Sequence, residues 1–168
     1  MPLNLHLLRM FATVVQFALS CLIPLMVGCL GWQTMGRRVG TLALGLASVY
    51  FPFIDYGGYF LSEVYVTPLF LLFLILFIRS MRAESGFGGF ALMATAGVLL
   101  SLLGSFKSYF LLCGAFLCVS YLLFGTRNSF SKRFSLSTVL AVSMLPGLVW
   151  MTNYCSSAAG EFCVGAAK

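Results

Sequence analysis

Along the chain, six apolar runs alternate with short polar or Gly/Pro-containing breaks. They cover residues 10–30, 39–53, 59–78, 90–104, 108–124 and 136–151. The second run follows Arg37 and Arg38 and stops at Pro52 and Asp55, where proline discourages continuation of a helix. The third ends at Arg79 and carries Pro68 near its middle, a predicted kink. The stretch from Phe90 to Phe124 is too long for one span. The segment Gly104-Ser105-Phe106-Lys107-Ser108 divides it into two short helices meeting at a turn. A polar hinge is expected over residues 79–89 and a basic loop over residues 125–134. Residues 152–168 read as a polar, Gly/Ala-rich tail.

Composition turns these runs into membrane spans. With 61% hydrophobic and 8% charged residues, and a mean hydropathy of +1.02, too little polar surface is left to cover a water-soluble globule. A segment crossing lipid must satisfy its own backbone, so each run is predicted to be helical. The expected fold is all-α integral membrane: about six transmembrane helices, several short or kinked, in a single transmembrane domain over residues 1–168.

The ten Lys and Arg residues outnumber the four Asp and Glu. They are scattered between apolar runs, which argues against a nucleic-acid partner and for topology signals. With the start outside, Arg37, Arg38, Arg79, Arg82, Arg127, Lys132 and Arg133 fall in the cytoplasm, and only Arg9, Lys107 and Lys168 fall outside. Asp55, Glu63 and Glu161 then share the external face. A multi-pass protein of a bacterial inner or plasma membrane, with its active face extracytoplasmic, is expected. Arg9 also suits a secretory signal, but no small-x-small cleavage site follows and Ser20-Cys21 is a poor lipoprotein box, so a retained helix is expected. The Gly36-to-Gly40 and Gly97-to-Ser101 spacings would let helices approach closely.

A carboxylate near lipid is costly, which makes Glu63 a functional candidate. His6 has no partner at metal-ligand spacing, so no metal site is expected. Cys21, Cys29, Cys113 and Cys118 lie within apolar runs as small apolar groups, whereas Cys155 and Cys163, eight residues apart, could form a disulfide or stay free thiols, depending on the redox state of the compartment. There is no P-loop and no G-x-S-x-G, and Gly86-Phe87-Gly88-Gly89 reads as a flexible hinge on the cytoplasmic side.

From Gly36 onward, four motifs occur in order. Gly36-Arg37-Arg38-Val39 leads through an Ala/Leu/Gly-rich helix into Tyr50-Phe51-Pro52-Phe53. Leu61-Ser62-Glu63 opens the next helix, and the Gly97 to Gly104 run is followed by Lys107-Ser108-Tyr109. Leu145-Pro146-Gly147-Leu148-Val149-Trp150 leads into Met151-Thr152-Asn153-Tyr154. The set resembles the GT-C superfamily of polytopic glycosyltransferases, which includes protein mannosyltransferases and the lipid A aminoarabinose transferase. The resemblance covers nearly the whole chain. It also implies that the chain starts after the family's first helix and catalytic acidic loop, and ends before its later helices. Thr152 stands where the pattern has Arg.

The resemblance implies inverting transfer of a sugar from a polyprenyl-phosphate donor to an acceptor outside the cytoplasm. That chemistry needs a carboxylate to take or orient the acceptor proton, cations to neutralise the leaving phosphate, and an apolar groove for the isoprenoid. Lys107 would meet the phosphate, or else snorkel to the interface. Glu63 would orient substrate or pair with Lys107 across the site, or else sit at a helix start stabilised by the dipole. Asp55 would touch sugar or form a turn. Tyr59, with Tyr50, Tyr56 and Tyr65, would stack on a sugar or belong to the interfacial aromatic belt. Asn153 and Tyr154 would bind phosphate or a loop, or cap a helix. The catalytic residues stay unassigned, and no cofactor is assigned, although a divalent cation is compatible with the reaction. The expected partners are the lipid-linked sugar and the bilayer. The alternative is a small non-enzymatic membrane protein, a transporter-like subunit or assembly partner, in which Lys107, Glu63 and Asp55 line an internal polar cavity.

Overall fold

A computed structural model describes residues 5–50, 62–83, 86–125 and 128–159. Every regular element among them is a helix: α1 Leu5–Met35, α2 Arg37–Ser48, α3 Ser62–Arg82, α4 Phe87–Phe106, α5 Tyr109–Phe124 and α6 Phe130–Ala159. Four stretches are long and apolar enough to cross a membrane, namely Met10–Met35, Glu63–Arg82, Phe87–Phe106 and Phe130–Tyr154. Twenty residues at the rise of an α-helix cover about 30 Å, the thickness of the hydrocarbon core. Large apolar side chains face outward on several helices, with Phe11 69% exposed on α1, Leu112 74% on α5 and Val142 58% on α6. Water would penalise such a surface, whereas lipid solvates it. The chain is an all-α membrane protein.

Several boundaries differ from the sequence expectation. Helix α2 ends at Ser48 and the chain turns at Val49, so its 12 residues rise only about 18 Å. Helix α3 runs through Arg79 to Arg82, and Gly88 and Gly89, expected in a hinge, lie in the first turn of α4. Lys132 and Arg133, expected in a loop, belong to the first turn of α6. That helix continues to Ala159, so the first eight residues of the expected tail are helical. A charged residue near a helix end costs little when it reaches the interface or pairs with backbone, so charge marks the water boundary and not the helix boundary.

The chain divides into two compact units, Met1–Ile75 and Leu76–Lys168, with the division inside α3. In the first unit α1 and α2 form a helical hairpin. Gly36 makes the turn with φ 93°, a backbone conformation that L-residues with a Cβ rarely adopt. Small residues let the two helices close up, and a methyl group added at Gly31 would lie 2.9 Å from Gly40 Cα. Gly40 in turn accommodates the Trp32 ring.

In the second unit α4, α5 and α6 pack together, and α4 runs parallel to α6, since Gly97 meets Ser143 while Ser101, one turn on, meets Gly147. Gly97 meets Ser143, and Gly147 meets Ser101, at distances where any side chain would clash. Gly114 of α5 receives Leu100 and Met144. The core of this unit is Met93, Ala96, Leu100, Leu103, Leu136 and Leu140, all almost fully buried.

Candidate functional site

The two ends of the Leu76–Lys168 unit differ in chemistry. One end collects the last turn of α3 with Arg79 and Arg82, the start of α4, the end of α5 and the start of α6. Its side chains tie up the carbonyls that helix C-termini leave without intrahelical partners. Asn128 Nδ2 donates to Met81 O at 2.9 Å and to Tyr121 Oη at 2.8 Å. Lys132 Nζ donates to Ala83 O at 2.6 Å, and Arg133 Nη1 to Leu122 O at 2.8 Å. Arg133 also lies 5.7 Å over the Phe130 ring, while buried Tyr121 meets Phe77 edge-on at 6.1 Å. Cations at helix C-termini also match the negative end of the dipole.

The opposite end is built around Lys107. This residue is the one extended position, φ −148° and ψ 115°, between α4 and α5. Its N–H donates to Leu103 O at 2.9 Å and its carbonyl accepts from Phe110 N–H at 3.1 Å, so the backbone break is fully bonded. Gly104 makes the break possible, since a methyl there would lie 2.6 Å from Leu111 Cγ. The side chain of Lys107 is half-buried, and the Tyr109 and Phe110 rings stand 4.5 Å apart beside it in sequence. Among the described cations of this unit, Lys107 alone lies away from the basic end. The register set by Gly97 on Ser143 and Ser101 on Gly147, carried to the helix ends, brings Lys107 level with Asn153.

Asn153 and Tyr154 are exposed and sit within α6, several residues before Ala159, so neither caps that helix. Thr152 turns its hydroxyl back to Leu148 O and Val149 O, both at 3.0 Å. Glu63 is exposed in the first turn of α3, where a carboxylate suits the positive helix end. It belongs to the other compact unit. Tyr65 is half-buried in the next turn and Tyr50 is 52% exposed. Asp55, Tyr56, Tyr59, Glu161 and Cys163 lie outside the described residues. The structure therefore brings Lys107, Asn153 and Tyr154 to one end of one unit.

Two recesses escaped the sequence reading. In the Met1–Ile75 unit, Phe17, Ser20, Pro24, Leu25, Leu44 and Ala47 line a largely apolar cleft of about 470 Å³ between α1 and α2. In the Leu76–Lys168 unit a smaller recess of about 320 Å³ opens at the basic end beside Lys132. Lys132 looked like a topology signal only, because its neighbours in space lie some fifty residues away. Among the described residues no group of three or more His, Cys, Asp or Glu is placed to hold a metal ion. No protein-family model matches the chain, and neither does a curated protein or a solved structure.

Proposed function

We propose that the chain is the membrane portion of a glycosyltransferase of GT-C type, moving a sugar from a polyprenyl-phosphate donor to an acceptor on the extracytoplasmic side. The observation that carries this reading is the break at Lys107. A half-buried lysine stands there between two apolar helices, at the end of its unit away from every other described cation. The N-terminus of α5 begins two residues later and adds its positive dipole end, so a phosphate leaving group would find a positive charge beside a positive helix end. Developing negative charge on that phosphate is stabilised most where water is scarce. Asn153, level with Lys107, supplies a neutral amide that both donates and accepts. Glu63 and Asp55 remain the carboxylates proposed to orient the acceptor.

Donor capture is separable from transfer, so it is the better test. In lipid nanodiscs the chain is expected to retain a radiolabelled polyprenyl-phosphate sugar. Lys107→Ala is expected to weaken retention about tenfold or more, the worth of one charge-assisted contact. Glu63→Gln is expected to leave retention unchanged and lower transfer. Equal retention by Lys107→Ala and the unaltered chain would remove Lys107 from the donor site.

A further inference from the structure

The recess at the basic end has no part in the reading above, because it opens at the opposite end of the Leu76–Lys168 unit from Lys107. Its polar wall is Lys132 with the hydroxyls of Ser129, Ser131 and Ser135, and the backbone at Gly86 closes it on the α4 side. Lys132 spends one of its three donors on Ala83 O. The three serine hydroxyls lining the recess make no hydrogen bond within the described residues. Two parallel helices also begin here. Helix α4 starts after Gly86 with no side-chain cap, and α6 starts after Ser129, so both leave first-turn N–H groups and positive dipole ends beside the same space. Donors on every polar wall and no described carboxylate among the lining residues specify an anion with several acceptor oxygens.

The remaining wall says which anion. Phe90 and buried Leu136 form the apolar side of the recess. Phe90 is 38% exposed, so this wall runs out to a surface suited to acyl chains at the level where a span meets the headgroups. We propose that this recess binds the phosphate of an anionic membrane phospholipid, with Lys132 and the serine hydroxyls on the phosphate oxygens and the acyl chains passing over Phe90. Basic recesses between membrane helices recognise anionic headgroups by this combination of charge and hydrogen-bond donors. A bound lipid would join α4 to α6 at the end where Lys132 already joins α6 to the segment after α3.

Native mass spectrometry of the purified chain tests this with phosphatidylglycerol, phosphatidylcholine and inorganic phosphate as probes. The unaltered chain is expected to retain phosphatidylglycerol about five- to tenfold more strongly than phosphatidylcholine. Ser131→Asp, which places a carboxylate in the recess and leaves the Lys132 bond to Ala83 untouched, is expected to abolish that preference. Lys132→Gln should do the same, while Lys107→Ala should not. A preference that survives both recess variants, or no preference in the unaltered chain, overturns the proposal. Inorganic phosphate displacing the lipid at equal concentration would make free phosphate the ligand and overturn the lipid assignment.

Discussion

Gly97 and Gly147 show how much of this protein rests on single small residues. Each faces a serine of the neighbouring helix at a distance no Cβ would tolerate, so the α4–α6 seam is a packing contact rather than a greasy one. Gly97→Leu is expected to destabilise the Leu76–Lys168 unit by at least about 1–3 kcal/mol through overpacking. Gly88→Ala, which meets no heavy atom within 4 Å, is expected to be neutral. Thermal unfolding in detergent followed by circular dichroism compares the two. Asn128→Ala strands the Met81 carbonyl and the Tyr121 hydroxyl, and a loss of about 1–3 kcal/mol is expected in the same assay. The Gly97–Ser101 spacing was legible as an invitation to close packing. The partners were not, since nothing in the local pattern ties Asn128 to Met81 or Lys132 to Ala83.

At the scale of elements, each of the six apolar runs corresponds to one observed helix, and four of the helices contain stretches long and apolar enough to cross a membrane, where lipid leaves the backbone of a single segment no other arrangement. Their ends were less legible. Arginines and lysines can occupy helical turns while their heads reach the interface, so Arg79, Arg82, Lys132 and Arg133 lie inside helices and not in the hinge and loop that the charge pattern predicts. Polar residues likewise do not stop α6, whose hydroxyls bond to their own helix at Thr138 and Thr152. Asn153→Pro should therefore cost about 3 kcal/mol in the unfolding assay, as proline does inside a helix, whereas a tail would accept it. Spin labels placed singly over residues 148–154 are expected to vary in mobility with a helical period near 3.6 residues. The Gly36 turn makes a parallel case: Gly36→Ala is expected to cost about 1–2 kcal/mol, the penalty of a left-handed backbone for a residue with a Cβ.

For the molecule as a whole, the proposed account depends on the Leu76–Lys168 unit having two chemically distinct ends. The basic end is the one proposed for the cytoplasmic side by the positive-inside rule, and the Lys107 end is the one proposed for the donor phosphate. The candidate residues came from sequence, but the grouping of Lys107 with Asn153 came from the parallel register of α4 and α6, which only packing reveals. The most direct measurement is photoaffinity mapping with a polyprenyl phosphate that carries a diazirine next to its phosphate. The account predicts crosslinks concentrated on the peptide containing Phe106 to Phe110. Labelling confined to the peptides containing Gly86 or Ser129, or spread evenly over all helices, would contradict it.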